Sequence, residues 1–158
     1  MKVLIIAFLL VTNVALIAQE IPVIKVKELE EIIADKERKI LVVNFWATWC
    51  APCVKELPYF EAVHQKNDEQ TKVVLVNLDF ADKIEKVKSF VNRKKIQAPV
   101  LLLDEIDYNS WINKVDSSWQ GAIPATLIIN TQTGQRRFIA KELEDGQLDR
   151  IIEEISKS

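Results

Sequence analysis

The distribution of apolar and polar residues predicts alternating strands and helices along most of this chain. Ile40 to Trp46 is apolar without alternation, the pattern of a parallel strand covered on both faces, so we expect it at the centre of a sheet. Further strands are predicted at Pro22 to Val26, Lys72 to Phe80 and Pro99 to Leu103. Apolar residues that recur every three or four positions predict helices at Lys27 to Lys39, Ala51 to about Asn67, Asp82 to Lys95, Tyr108 to Val115 and Gly146 to Lys157.

Local signals refine these boundaries. The turn Thr131 to Gly134 separates two apolar runs and predicts an antiparallel hairpin, formed by Ala125 to Ile129 and Gln135 to Ala140. Asp82 is expected to cap the N-terminus of its helix. Pro58 lies inside the second helix, where it removes a backbone donor and clashes with the preceding turn, so we expect a kink there.

The N-terminus has the pattern of a secretory signal peptide. Met1 and Lys2 precede an uncharged, largely apolar run from Val3 to Ala18, which ends in a small residue followed by polar ones. The run is shorter than the roughly 18 to 20 residues that a spanning helix needs, although an uncleaved anchor remains an alternative. We therefore expect a signal peptide at residues 1–18, a mature domain at 19–158, and a location in the periplasm or cell envelope.

Composition limits the classes of protein that need to be considered. The chain has 158 residues, of which 49% are hydrophobic, enough for one domain with a proper core. Its net charge of −2 gives no indication of nucleic-acid binding. The two cysteines both lie in one Cys-x-x-Cys, which in an oxidising compartment either cycles or is permanently bridged.

The pair Cys50 and Cys53 follows the central strand and begins a helix, which suits thiol-disulfide exchange. Cys50 at the helix cap would meet unsatisfied N–H groups and the positive end of the helix dipole, both of which stabilise a thiolate. Cys53, one turn further in, would be more buried and would resolve the mixed disulfide. Pro52 stiffens the turn and withdraws one backbone donor. The expected nucleophile is thus Cys50.

A zinc site is the main alternative for this spacing. Tetrahedral zinc needs four ligands, but the chain has no third cysteine and only one histidine, His64, which is well inside the predicted helix. We therefore expect no metal and no cofactor. His64 is interpreted as a surface residue rather than a proton shuttle.

Several motifs together resemble a known family. Trp49-Cys50-Ala51-Pro52-Cys53 behind a buried strand, Ile123-Pro124 before the hairpin, and the order of the elements resemble the thioredoxin-like superfamily. The spacing Cys50-x-x-Cys53-x-x-Glu56-x-Pro58 and the additional strand and helix are similar to exported TlpA/ResA-type thiol-disulfide oxidoreductases. The resemblance implies an α/β thioredoxin fold, a mixed central sheet flanked by helices, with an extra strand-helix insertion before the cis-Pro loop.

The resemblance also implies roles for individual residues. Pro124 would be the cis-proline facing the cysteines and, with Ile123, would bind an extended peptide and exclude metal. Glu56 would lie near the cysteine pair and tune proton transfer, although a solvated helix position is an alternative. Trp49 would be an exposed aromatic contact beside Pro52, and Trp46 would pack beneath the loop.

Two residues depart from the pattern of thioredoxin itself. Asn44 occupies the place of a buried aspartate before the Phe-Trp pair and cannot ionise, which leaves Glu56 as the candidate acid. Ala125 follows the proline where a threonine is usual. The second departure weakens inferences about substrate contacts.

The function predicted from these features is an enzyme, a reductant of disulfides in exported proteins. Its partners would be cysteine-containing exported clients, with apocytochrome c the best-known client of the family, and a membrane dithiol electron donor. We expect a monomer. A disulfide-forming oxidase, a peroxide reductase and a binding module with a permanent Cys50–Cys53 bridge remain alternatives; the Thr-x-x-Cys setting typical of peroxide reduction is absent around Cys50.

Overall fold

A computed structural model describes residues 20–66 and 69–157 of the chain. The predicted signal peptide, residues 1–18, lies outside the described residues. Within those two ranges, no helix combines the length and the apolar content needed to cross a bilayer.

Within residues 20–66 and 69–157, six strands form one mixed sheet in the order β1-β4-β3-β2-β5-β6. Strands β1, β4, β3 and β2 are parallel to one another, whereas β5 runs antiparallel to β2 and pairs with β6 as a hairpin. The strands are β1 (Val23–Ile24), β2 (Ile40–Trp46), β3 (Thr71–Asn77), β4 (Val100–Leu103), β5 (Ala125–Asn130) and β6 (Arg136–Ile139). The predicted central position of β2 is correct, and all seven of its residues are buried.

In the part of the chain that the structure describes, five α-helices cover the two faces of the sheet. They are α1 (Val26–Ala34), α2 (Ala51–Gln65), α3 (Ile84–Lys94), α4 (Ile112–Val115) and α5 (Gln147–Ser156). One core cluster packs residues of α2, α3 and α5, such as Phe60, Phe90 and Ile151, against the sheet. A second cluster, on residues that include Leu29 of α1 and Val115 of α4, packs against the opposite face. Apolar and polar residues do not alternate along β2, because helices cover both faces of the sheet at this strand.

Three predicted helix boundaries were wrong. The first helix ends at Ala34 instead of Lys39, because the chain turns at Asp35, whose carboxylate accepts a hydrogen bond from Lys72 Nζ over 2.6 Å. Asp82 does not cap a helix: it lies in a 3₁₀ turn, and its carboxylate pairs with Lys83 over 2.9 Å. The segment from Tyr108 to Val115 is divided into a 3₁₀ turn at Tyr108–Ser110 and the short helix α4.

The insertion expected from the resemblance is present as β4 and α4. Strand β4 lies between β1 and β3 in the sheet, so the insertion widens the parallel half. The carboxyl ends of β2, β3 and β4 all meet at one edge, since the three strands are parallel. The cysteines follow β2 at this same edge.

Candidate active site

Cys50 and Cys53 are joined as a disulfide at the start of α2. Their Cα atoms are 5.3 Å apart and their sulfur atoms are bonded over 2.05 Å. Cys50 is the N-cap residue of the helix, and its Sγ accepts a hydrogen bond from the backbone N–H of Cys53 over 3.3 Å. Cys50 is 6% exposed and Cys53 is fully buried. Of the two cysteines, Cys50 is therefore the more accessible, and its role as nucleophile stays a prediction.

The local sequence explains why the helix begins there. Pro52 lies in the first turn, where its missing N–H costs nothing because the first N–H groups of a helix have no partner within it. The remaining N–H of Cys53 points at the sulfur of Cys50. A thiolate at this position gains from that donor and from the positive end of the dipole.

Glu56 is fully buried beneath the cysteine pair, which excludes the alternative of a solvated helix residue. Its Oε1 accepts a hydrogen bond from Asn44 Nδ2 over 2.8 Å, and its Oε2 accepts one from the backbone N–H of Leu143 over 2.8 Å. Burial raises the pKa of Glu56 to about 7, although both hydrogen bonds favour the charged form and lower it. Glu56 is three residues beyond Cys53, so both side chains lie on one face of α2, with about 5 to 6 Å between their Cβ atoms.

Asn44 connects this acid to the central sheet. Besides the bond to Glu56, its Nδ2 lies 3.1 Å from Thr126 Oγ1 and 3.4 Å from the carbonyl oxygen of Ala125 on β5. Its Oδ1 is buried and has no hydrogen-bond partner among the residues that the structure describes. The side-chain amide thus acts as a donor toward Glu56 and β5.

The loop before β5 contains the cis peptide bond Ile123–Pro124, as expected from the sequence. Ala125 pairs with Phe45 across β5 and β2, which places this loop beside the end of the strand that leads to Cys50. Trp119 holds the loop from behind, since its Nε1–H donates to the carbonyl oxygen of Ala122 over 2.8 Å. The structure therefore brings Pro124 and the cysteine segment to one edge, although they are distant in sequence.

The two tryptophans before the disulfide have opposite environments. Trp49 is 63% exposed, as expected from the sequence, and its contact with a partner stays a prediction. Trp46 is fully buried and packs on Phe90, with ring centroids 5.4 Å apart. Only Trp49 can meet a partner.

Asp79 anchors the active-site loop and was missed by sequence reasoning. Both of its carboxylate oxygens accept from Thr48: Oδ2 from the backbone N–H over 2.7 Å and Oδ1 from the hydroxyl over 2.6 Å. Asn77 Nδ2 also donates to Oδ2 over 2.9 Å, and Asp79 is only 4% exposed. The signal that could have indicated it is Asn77-x-Asp79 at the carboxyl end of a strand adjacent to β2.

The remaining candidates for metal or proton chemistry are not brought together. Among the described residues, no group of three or more His, Cys, Asp and Glu side chains has the arrangement of a metal site. His64 is near the far end of α2, where it lines a surface hollow with residues such as Arg38 and Glu69. The chemistry that this site can perform is thiol-disulfide exchange with an adjacent buried acid.

Comparison with family models gives one match, to the AhpC/TSA family over residues 17–134. Among curated relatives, the thiol-disulfide oxidoreductase ResA of Bacillus thuringiensis (strain Al Hakam) is 30% identical over 124 residues, covering 78% of this chain and 68% of that protein. The thioredoxin-like protein YneN of Bacillus subtilis is 37% identical over 71 residues, covering 44% of this chain and 42% of YneN. The chain thus spans less than half of one relative and about two thirds of the other.

Solved structures show the same fold. A DsbF homologue from Corynebacterium diphtheriae superposes with a TM-score of 0.61 at 26% identity, covering 77% of this chain and 75% of that one. StoA from Bacillus subtilis has a TM-score of 0.56 at 24% identity, and the match covers 75% of this chain and 84% of the StoA chain. These findings confirm the predicted thioredoxin-like fold and the predicted relationship to thiol-disulfide oxidoreductases with a cysteine pair.

Proposed function

We propose that this chain, which belongs to the AhpC/TSA family, is a thiol-disulfide oxidoreductase that works as a reductant of disulfides in exported proteins. The observation that carries the proposal is the position of Glu56, a buried acid one helical turn beyond Cys53. A carboxylate beside a dithiol disfavours the thiolate forms and so makes the reduced protein less stable relative to the disulfide. A strong oxidant has the opposite property, a stabilised reduced form.

The exchange proceeds in two steps. The Cys50 thiolate attacks a client disulfide; the client S–S bond breaks, a mixed disulfide between Cys50 and the client forms, and the released client thiolate takes a proton from solvent. Cys53 then gives its proton to the Glu56 carboxylate and attacks Cys50 Sγ. This step closes the Cys50–Cys53 disulfide and releases the second client thiolate, which is protonated in turn. Two electrons have passed from the dithiol to the client.

The two ends of the site have different tasks in this scheme. Cys50 at the N-cap meets the client, and the exposed Trp49 and the Ile123–Pro124 loop, with Pro52, form the surface against which an extended client segment lies. Glu56 serves the buried Cys53 and is held in place by Asn44 and Leu143. A membrane dithiol donor would restore the reduced form after each turnover.

The clients are proposed to be cysteine-containing exported proteins, including those of the cytochrome c maturation type. Support comes from the N-terminal pattern, since an apolar run after Lys2 is typical of export to the periplasm or cell envelope. An exported location is also the environment in which a reductant is needed, because disulfides form there spontaneously or by catalysis.

The first test is the reduction potential of the Cys50–Cys53 couple. We expect a value close to that of thioredoxin, about −270 mV, and a value near about −120 mV would instead assign the protein to disulfide formation. Replacing Glu56 by Gln removes the negative charge, so the potential of E56Q is expected to be less negative than that of the wild type. Equilibration with a glutathione or dithiothreitol buffer gives both values.

The second test is to trap the clients. A Cys53→Ser variant cannot resolve the mixed disulfide, so partners should accumulate on Cys50 and be released by reductant. Cys50→Ser is the matched control, because it retains one thiol at the site but lacks the nucleophile. If Cys53→Ser traps no partner in cells and the measured potential lies near about −120 mV, the proposed role as a reductant has no support.

A further inference from the structure

Four large apolar side chains are exposed at the edge of the sheet that carries the disulfide. These residues, which we call the apolar patch, are Trp49, Phe80, Ile106 and Tyr108, exposed by 63%, 66%, 74% and 40%. They follow the carboxyl ends of β2, β3 and β4, three neighbouring parallel strands. Single exposed apolar residues are ordinary, but a cluster beside a reactive group indicates a contact surface.

The apolar patch is continuous with the active-site loop. The hydrogen bonds between Thr48 and Asp79 join the loop that carries Trp49 to the segment that carries Phe80. Phe80, Ile106 and Tyr108 line one shallow depression. Neighbouring strands are about 4.8 Å apart, so the distance from β2 to β4 is about 10 Å, or about three residues of an extended chain.

The border of the apolar patch is acidic. Four carboxylates lie in its loops, those of Asp82, Asp104, Glu105 and Asp107. Lys83 pairs with Asp82 over 2.9 Å, and Lys25 pairs with Asp104 over 2.7 Å. Glu105 also interacts electrostatically with Lys25, and its carboxylate accepts a hydrogen bond from the backbone N–H of Asp107 over 3.2 Å. Four carboxylates against these two lysines still leave the border with a net negative charge. An occupant with basic residues is therefore favoured over an acidic one.

We propose that the apolar patch is a docking surface for the client polypeptide itself, selecting an extended segment with an apolar side chain about three residues from the reacting cysteine and a basic residue close by. This inference rests on the proposed exchange reaction. That reaction also identifies the molecule that covers the patch, the client polypeptide that becomes bonded to Cys50. A partner bonded to Cys50 is held against the residues around that sulfur. The client residues on one side of its cysteine lie along the Ile123–Pro124 loop, and those on the other side cross the loops that follow β3 and β4, because β5 and β3 flank β2 on opposite sides.

The test compares short peptides that each contain one cysteine as a mixed disulfide with 2-mercaptoethanol. The peptides carry Phe or Ser about three residues from the cysteine, and Lys or Glu beside it. The rate constant for each is divided by that for bis(2-hydroxyethyl) disulfide, a small neutral probe of the exchange reaction alone. For the wild type, we expect the ratio to be about 3- to 10-fold higher for the Phe-Lys peptide than for the Ser-Glu peptide.

Two kinds of variant separate the apolar from the charged contribution. Phe80→Ser and Ile106→Ser each replace an exposed side chain of the patch. Each should remove most of the preference for the peptides with Phe over those with Ser. The double variant Glu105→Gln with Asp107→Asn should remove the preference for peptides with Lys. In the wild type, about 1 M salt should also reduce this preference, because salt screens the charges. Val23→Ser on the outermost strand is the matched control: Val23 is 49% exposed but does not belong to the patch, so the ratios should not change.

The possible outcomes distinguish this inference from the proposed function. If the wild type fails to react with bis(2-hydroxyethyl) disulfide and with every peptide, the exchange function itself is wrong. If it reacts but shows equal ratios for all peptides, or if Phe80→Ser and Val23→Ser behave alike, only the docking surface is overturned. A concentration-dependent dimer in sedimentation that Phe80→Ser abolishes would assign the surface to a second copy of the chain, which also overturns it.

Discussion

Asn44 on the central strand donates a hydrogen bond through Nδ2 to Oε1 of Glu56 on helix α2, over 2.8 Å, and both side chains are fully buried. The position that holds an aspartate in thioredoxin therefore supports a glutamate here. Together with the backbone N–H of Leu143, Asn44 keeps the carboxyl close to ionisation near neutral pH, against the effect of burial. The acid of the site is thus held jointly by β2, α2 and the segment before α5.

The stability of the oxidised protein should depend on pH through Glu56. Burial raises its folded-state pKa to about 7 from the ordinary value of 4.5, so between these values the folded state holds a proton that the unfolded state has released. The contribution of Glu56 is fully present below pH 4.5 and falls by about 3 kcal/mol as pH rises to 7. Urea unfolding of the wild type and Glu56→Gln between pH 4 and 8 should show the wild type losing about 3 kcal/mol of stability relative to the variant as pH rises.

The exposed carboxylate of Glu31 provides the control for that measurement, because its side chain is 66% exposed on α1. The stability difference between the wild type and Glu31→Gln should stay constant over the same pH range. If the difference for Glu56→Gln is also constant, the raised pKa is wrong.

Loss of the acid should slow the second step of exchange. Glu56→Gln cannot accept the proton of Cys53, so release of the second client thiol should slow by about 100-fold, and the rise in its rate near pH 7 should disappear. Stopped-flow single turnovers with a bis-cysteine peptide disulfide follow attack and resolution separately. Attack by Cys50 should change much less, and equal slowing of both steps would indicate a general disturbance of the site instead.

Thr48→Val should weaken the active-site loop. Valine removes the hydroxyl that donates to Asp79 Oδ1 over 2.6 Å, a bond to a charged acceptor, and the expected loss of stability is about 2 kcal/mol. Thr131→Val is the matched comparison, since the Thr131 hydroxyl donates to the neutral carbonyl oxygen of Arg38, also over 2.6 Å. Its expected cost is about 1 kcal/mol. Equal costs in urea unfolding would argue against the Thr48–Asp79 hydrogen bond as a special anchor of the loop.

Two buried tryptophans allow the hydrogen bond behind the Ile123–Pro124 loop to be measured. Trp119 Nε1–H donates to the carbonyl oxygen of Ala122 over 2.8 Å, whereas Trp111 Nε1 is buried without a partner among the described residues. Both Trp→Phe substitutions lose comparable packing, but only Trp119→Phe removes a hydrogen bond of the protein. Trp119→Phe should therefore cost about 1 kcal/mol more than Trp111→Phe. The opposite order would show that the ring contacts, not the hydrogen bond, hold the loop.

The sequence predicted the elements closest to the cysteines better than those remote from them. An apolar run buried on both faces allows only one interpretation, so the bounds of β2 agree with the prediction. The end of α1 and the split of Tyr108 to Val115 depended on contacts made elsewhere, such as that between Asp35 and Lys72. Asp79 was missed because its one sequence signal, Asn77-x-Asp79 after a strand, is weak by itself, and its role depends on the neighbouring loop around Thr48.

The sequence alone predicted the chemistry: two cysteines at a strand-to-helix junction, with a proline between them and too few other ligands for zinc, indicate a redox pair. Only the tertiary structure decided the environment of that chemistry. Whether Glu56 meets water or the core depends on β5, Asn44 and Leu143, which chain periodicity does not place together. The apolar patch likewise depends on the order of β2, β3 and β4, because loops distant in the chain become neighbours only when their strands pair side by side.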